Sequence, residues 1–324
     1  MKSILHVSAY VSSKMRSLPN MLGLLMMLFV GFQVMGQTPF DATMMKQRES
    51  CLALIYEQGS WDEYWEGNDL RHNETVATLT RKTGLAMIAI GVLDKLNLYV
   101  GVPYLATSSS EPNGGFFEGA KGFQDLSLAL KYEIINQQVG PGKIALLATG
   151  GYSTPITNYL SDYRPYSIGF GANEVSLRGI AQYRMDMGFY GRVAGGYLFR
   201  GETKAERNYY YANGSYYTPW MDVPNALEYQ AVVGIWLLDN ALKVEANYYG
   251  LKSTSGDDIR KYNAAQPTNK VEVGQVGGNV QYYFNNIKGI GILGVLGYYN
   301  AVISGRNTGK FSMFGAGLTY QFKI

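Results

Sequence analysis

From Cys51 to the C-terminus the chain runs in segments of about ten residues whose apolar side chains recur at every second position, the period of a strand rather than a helix. In residues 125 to 134, Leu126, Leu128, Leu130, Tyr132 and Ile134 share one face, while Asp125, Ser127, Ala129, Lys131 and Glu133 share the other. Residues 227 to 237 set Leu227, Tyr229, Ala231, Val233, Ile235 and Leu237 against Glu228 and Gln230, and residues 242 to 248 set Leu242, Val244, Ala246 and Tyr248 against Lys243, Glu245 and Asn247. Roughly ten residues is the length a tilted strand needs to cross a bilayer. Beyond the N-terminal region no segment is long and apolar enough to span as a helix. A membrane-inserted mature chain must therefore close into a barrel, because lipid leaves no other way to pair every backbone N–H and C=O.

Laid out in full, the predicted strands fall at 49-60, 74-91, 96-106, 122-136, 143-155, 172-184, 187-200, 226-237, 241-252, 271-285, 289-303 and 311-324. Twelve is an even number, and the connections alternate in kind. Short turns at 92-95, 137-142, 185-186, 238-240 and 286-288 alternate with longer polar loops at 61-73, 107-121, 156-171, 201-225, 253-270 and 304-310. That asymmetry is expected of a bacterial outer-membrane barrel, with short periplasmic turns and long external loops. It assigns each strand end to a side of the membrane. Tyr132, Tyr183, Phe189, Tyr320 and Phe322 then lie at periplasmic ends, and Tyr104, Tyr152, Tyr197, Phe199 and Tyr229 at outer ends, as two headgroup-level girdles. The last segment alternates Phe314, Ala316, Leu318, Tyr320, Phe322 and Ile324, and the chain stops on it. An apolar terminal residue preceded by aromatics at two and four positions looks like the signal read by the barrel-insertion machinery. As the edge of a soluble sheet, such a strand would be an aggregation hazard.

The first 36 residues carry Lys2, Lys14 and Arg16, no acid, an apolar run from Met21 to Met35 and then Gly36-Gln37. This reads as a secretory signal peptide, 1-36, cleaved after Gly36. A retained anchor is the competing reading, and Met21 to Gly36 falls short of the roughly 20 residues a spanning helix needs. Residues 37-48 are then a short N-terminal periplasmic segment and 49-324 the barrel. Of 28 Lys and Arg, cleavage removes three, leaving 25 against 25 Asp and Glu. A mature chain of zero net charge gives no electrostatic case for nucleic acid. Cys51 is the one cysteine, so neither a disulfide framework nor a Cys-based metal site is expected.

Four strand motifs follow in order: Asn97-Leu-Tyr-Val-Gly-Val-Pro-Tyr104, Gly122-Phe-Gln-Asp-Leu-Ser-Leu-Ala-Leu-Lys-Tyr132, Leu146-Leu-Ala-Thr-Gly-Gly-Tyr-Ser-Thr-Pro155 and Met187-Gly-Phe-Tyr-Gly-Arg-Val-Ala-Gly-Gly-Tyr-Leu-Phe199. Over roughly residues 75 to 324 the chain resembles the outer-membrane proteins associated with the meta-pathway of phenol degradation, a family of transporters distantly like the long-chain fatty acid and toluene channels. The family's Gly-Asp pair is here separated by Phe123-Gln124, and Ser153-Thr154-Pro155 replaces its Pro-Thr-Gly. The resemblance implies a barrel that takes up small molecules, and it carries no catalytic residues or cofactor.

Gly289-Ile-Gly-Ile-Leu-Gly294 matches the dinucleotide fingerprint in spacing, yet it sits inside a glycine-rich apolar strand with no helix to receive a pyrophosphate. Barrel phospholipases and proteases use a histidine base. Once His6 leaves with the signal only His72 remains, in a polar loop with no obvious nucleophile beside it. No enzyme, cofactor or metal is expected. By alternation Lys131, Glu133, Arg178, Gln182, Arg184, Arg192, Arg200, Glu228, Gln230, Lys243, Glu245 and Asn247 face the lumen. On the lipid face an Arg or Lys at the midplane costs roughly 2–4 kcal/mol. Two readings fit their mixed signs: a salt-bridged filling that closes a structural barrel, or the lining of a narrow channel. Twelve strands lie between the eight that side chains fill and the sixteen that leave an aqueous pore. Loop 201-225 concentrates Tyr209, Tyr210, Tyr211, Tyr216, Tyr217 and Trp220, either to capture a small apolar or sugar ligand at the outer mouth or to pack on one another and shut the barrel. Trp61 and Trp65 are candidates to extend that surface. The expected function is an outer-membrane channel or uptake protein for small, apolar or aromatic molecules. A structural, adhesive or secretion-associated barrel is the alternative, and membrane lipid is the partner in both cases.

Overall fold

The computed structural model describes residues 38–260, 265–287 and 291–324. The segment read as a signal peptide, Gln37, and part of the Gly289–Gly294 motif lie outside them. Twelve long antiparallel strands form the wall: β1 (Glu49–Trp61), β2 (Leu79–Leu93), β3 (Leu96–Ser109), β4 (Asp125–Gln138), β5 (Gly142–Pro155), β6 (Glu174–Met185), β7 (Phe189–Arg200), β8 (Ala226–Leu237), β9 (Leu242–Ser253), β10 (Glu272–Ile287), β11 (Gly291–Arg306) and β12 (Ser312–Lys323). Each pairs with its sequence neighbours, and β12 pairs back onto β1 from Glu49↔Lys323 to Ser60↔Ser312, so no edge is left open. Closure by the C-terminal strand satisfies the backbone at the one place where a sheet would otherwise expose it.

Alternation gives the wall two chemically distinct faces. Leu54, Leu130, Leu177, Val193, Val233, Val280 and Leu318 are exposed on the outside, Val233 to 66%. In water this would be one continuous apolar patch far beyond what a soluble monomer shows; in a bilayer it is the lipid contact. Exposed Tyr104, Tyr152, Phe199 and Tyr229 rim the outer ends, and Tyr132 and Phe189 the periplasmic ends.

Most strand ends differ from the sequence reading by one to three residues, and two strands differ more substantially, each for a local reason. The strand predicted from residue 74 begins at Leu79, because Asn73 accepts from the Val76 N–H and Ala77 takes a positive φ of 51°, closing a turn first. The strand predicted as 122-136 is broken at Gln124 into Lys121–Phe123 and β4. Pro103 on β3 has no N–H to continue the ladder, and its carbonyl accepts from the Gln124 N–H at 3.0 Å. Direct β3–β4 pairing therefore runs only from Leu96↔Tyr132 to Gly101↔Ser127.

Part of the segment expected over 37-48 as a short N-terminal periplasmic segment, from Thr38 to Met45, packs against the inner wall of the barrel. Met45 packs with Cys51, Ala89, Tyr99 and Ala129, and Ala42 and Met44 pack against Ala145, Leu147 and Ile180. The interior at this level is thus filled in part by residues 38–46. Gly91 makes room where the segment enters, since a methyl there would overlap the Lys46 carbonyl.

Candidate functional site

The interior wall is divided by composition. On β1 to β3 successive rows across the sheet place Cys51, Ala89 and Tyr99 together, then Ala53, Met87 and Gly101, then Ile55, Leu85 and Pro103. These are apolar. From β4 to β9 the inward positions carry the charges named from the sequence, and the structure gives most of them partners.

Lys131 is fully buried and anchors the N-terminal segment: its ammonium donates to the Thr38 carbonyl at 2.8 Å, the Asp41 carbonyl at 3.1 Å and Asp41 Oδ1 at 3.0 Å. The same ammonium lies 5.0 Å from the centre of the Tyr99 ring. Thr149 donates to the Pro39 carbonyl at 3.1 Å, and Phe40 lies under the Arg178 guanidinium at 4.3 Å. Lys243 and Arg192 add their charge to that of Lys131 around Asp41. The segment is thus a strut spanning two walls, one apolar through Met45 and one cationic through Asp41.

Glu245 is the second hub. It accepts from the Tyr190 hydroxyl, from Arg192 at 3.2 Å and from Asn279 at 2.6 Å, and lies 3.5 Å from the Lys243 ammonium. Arg178 pairs with Glu228, and Arg200 with Glu174 at 2.7 Å. Asn136 donates to Glu133 at 2.8 Å. Arg184 sits at the periplasmic rim, bonded to Asn240 and 5.5 Å above the Trp236 ring. Gln182, Gln230 and Asn247 occupy the same interior face, with Gln230 Oε1 buried and without a hydrogen-bond partner among the described residues. Charges in a dry interior must be paired and hydrogen-bonded to be tolerated, and each of these hubs meets that demand from strands far apart in sequence. Asp41, Tyr190, Glu174 and Asn279 are the functional partners that alternation did not single out. The one available signal was an inward Lys131 with no carboxylate at its own height on the neighbouring strands.

At the outer mouth the tyrosine-rich loop packs largely on itself. Tyr210–Tyr211 pairs with Ser215–Tyr216, the Tyr210 and Tyr216 rings stack at 5.0 Å, and Tyr209 and Tyr217 meet at 5.2 Å. Gln266 donates to the Tyr211 carbonyl. Trp220 pairs through a second ribbon, Glu202–Lys204 with Trp220–Asp222. Tyr217 and Trp220 remain exposed, so packing and an aromatic outer surface coexist. Trp61 clusters with Val76, Leu79 and Tyr166, and its ring meets Phe311 at 6.0 Å. Its partners come from other loops, so it does not extend the tyrosine surface.

Loop 156–173 folds down into the mouth. Thr107 donates to the Tyr166 carbonyl at 2.6 Å, the Ser109 and Tyr166 hydroxyls lie 2.7 Å apart, and the Tyr159 hydroxyl donates to Asp125 at 2.6 Å. Burial, followed by that bond to the carboxylate, pushes the Tyr159 phenol far above its ordinary range, so it stays a donor. Phe170 on this loop faces the Arg164 guanidinium at 4.2 Å and that of Arg200 at 4.8 Å.

No family model and no curated protein sequence matches the chain. Among solved structures it is similar to an outer-membrane channel of Pseudomonas putida F1, with a TM-score of 0.69 at 12% identity over 89% of this chain and 100% of that one. The translocator domain of the autotransporter NalP from Neisseria meningitidis scores 0.40 at 12% identity, covering 97% of this chain and 96% of its own. OprD of Pseudomonas aeruginosa scores 0.37 at 10% identity, covering 88% and 96%. The first of these likenesses establishes the fold, which is also the one implied by the strand motifs: a closed, twelve-stranded antiparallel barrel.

Proposed function

We propose that the protein is an outer-membrane channel for small apolar or aromatic molecules, held closed by its N-terminal segment. The observation that carries this reading is the two-sided lumen, apolar on the periplasmic half of β1 to β3 and charged from β4 to β9, with a strut between the walls. A barrel serving only as a scaffold needs no apolar interior stripe, and a wide aqueous pore has no use for one. Such a stripe suits a solute with little charge, and the opposite wall supplies polar contacts that orient it. Exposed Tyr217 and Trp220 at the outer mouth suit first contact with the same solutes.

Catalysis has no comparable support. His72 lies exposed in a loop ribbon, 3.8 Å from Glu63, a pair that a solvated loop explains. The stacked Tyr320 and Phe322 near Ile324 remain the feature through which the insertion machinery would recognise the closing strand.

Planar-bilayer recording tests the channel reading. The intact protein is expected to conduct poorly, and a variant lacking residues 38–46 to show discrete openings and to pass toluene or phenol into vesicles faster. A variant that folds, shown by heat-modifiable gel migration, yet remains sealed to ions and to both solutes would overturn it. That outcome would favour a non-transporting barrel.

A further inference from the structure

The arginines of the lumen and its outer mouth are treated unequally. Arg200 holds Glu174, Arg178 holds Glu228, Arg192 holds Glu245, and Arg207 in the loop above holds Asp162 at 2.9 Å. Arg81 and Arg164 have neither an ion pair nor a hydrogen-bond acceptor among the described residues, and the Nε–H of each is sealed from solvent. Beside Arg81 on the same inward face of β2, the Thr83 hydroxyl is also buried without a partner. Glu57 is the carboxylate whose charge acts on Arg81, and its Oε2 is already bonded by the Tyr298 hydroxyl at 3.0 Å. Arg164 is worse placed. Burial, then the like charges of Arg200 and Arg81, opposed only by the Tyr159 phenol, bring its guanidinium down to about 10. Both side chains nevertheless keep part of their surface open.

Buried, charged donors are normally satisfied, and three unsatisfied donors at one level of a lumen mark a place prepared for an acceptor. What lies below them sets the rest of the ligand. Arg81 pairs across the sheet with Thr107 and Gly59, and the interior row four residues further down β2 is Ile55, Leu85 and Pro103, followed by Ala53, Met87 and Gly101. The row between Arg81 and Leu85 is Glu57, Thr83 and Leu105, and beneath it runs the apolar wall, down to Met45 of the N-terminal segment.

We propose that Arg81, Arg164 and Thr83 form a binding site for the carboxylate of a small amphipathic molecule whose apolar body lies along Ile55, Leu85 and Met87. A carboxylate offers two oxygens with lone pairs for the two guanidinium donors and the hydroxyl, in the geometry arginine favours. It also brings the negative charge that Arg164 lacks. The inference rests on the lumen being open to small molecules from outside, and it narrows the solute from apolar to apolar with an acidic head.

Calorimetric or tryptophan-fluorescence titration of the folded, detergent-solubilised full chain with hexanoate, 1-hexanol and inorganic phosphate tests it. Hexanoate is expected to bind saturably and at least ten-fold more tightly than 1-hexanol. Arg164→Gln and Arg81→Gln should each weaken hexanoate ten-fold or more and leave 1-hexanol unchanged, while Arg207→Gln should change neither. Saturable hexanoate binding that is indifferent to Arg164→Gln would overturn the site. So would phosphate competing as well as hexanoate does, since that marks a general anion patch. Because each variant is single and monitored by heat-modifiable migration, a misfolded Arg81→Gln leaves Arg164→Gln to decide. Binding is measured at equilibrium, so a barrel that binds hexanoate yet never conducts refutes the channel reading and leaves the site standing.

Discussion

Replacing Lys131 by alanine removes the donor that holds the N-terminal segment in the lumen. Three hydrogen bonds are lost, to the Thr38 carbonyl, the Asp41 carbonyl and Asp41 Oδ1, and the Asp41 carboxylate, 4% exposed, is stranded. Breaking a buried pair by removing one partner costs about 3–5 kcal/mol when the other charge has to stay where it is. Arg192 and Lys243 still act on Asp41, so the lower end applies. The segment also has an escape the wall lacks, since it can swing out about Arg48 and hydrate its carboxylate. The loss therefore falls on the docked–undocked equilibrium, and about 3 kcal/mol is a shift of roughly 150-fold. The barrel itself, closed by backbone pairing, should keep its heat-modifiable migration. Two measurements read the result: hydrogen exchange of residues 38–47, which should rise by that order, and single-channel open probability, which should rise with it. Asp41→Ala is the counterpart that separates plug release from simple electrostatics. If the segment is a plug, Lys131→Ala and Asp41→Ala both increase conductance. If these residues only set the lumen's charge, the two move cation conductance in opposite directions, and unchanged exchange in either variant refutes the strut.

Further outcomes follow from the same contacts. Gly91→Ala drives a methyl into the Lys46 carbonyl and should raise exchange of the segment while leaving β1–β2 pairing intact, as read by amide protection of Met87 to Ile90. Glu245→Ala leaves Arg192 and Lys243 buried without their shared carboxylate. It should destabilise the folded barrel by about 3–5 kcal/mol, measured as a lower urea midpoint for the gel-migration shift, and Glu245→Gln should lose less because its one carbonyl oxygen can still accept from Tyr190 and Arg192. Asp258, in the loop after β9, is bonded by Arg306 at 2.6 and 2.7 Å, and this bond and charge hold its carboxyl at about 2 against an ordinary 3.8. A depressed carboxylate stabilises fully above its unfolded value and loses that contribution as pH falls through its folded one. Protease nicking within 253–270 should thus be constant above pH 4 and increase between about pH 4 and 2; in Arg306→Gln nicking should already be higher above pH 4 and the increase between pH 4 and 2 should be smaller.

Alternation of single residues along the chain determined the wall. It placed twelve strands, sorted loops from turns, and put Lys131, Arg192, Glu228 and Glu245 on the inner face, because pleating fixes side-chain direction one residue at a time and lipid admits no error in it. Local chemistry within a few residues, such as Pro103 without its N–H and Asn73 closing a turn, decided the ends of strands and was legible only in part. What fills the wall is another matter. Nothing in residues 38–46 is periodic, so their entry into the lumen had no local signature; it rests on a cation on β4 that meets an acid 90 positions earlier. Likewise Tyr190 reaches Glu245, and Arg164 is carried down on its loop to the level of Arg81, only once the barrel is closed. Pairing across a lumen depends on strand tilt, closure and loop descent, which are properties of the assembled sheet, and the tertiary structure alone supplied them.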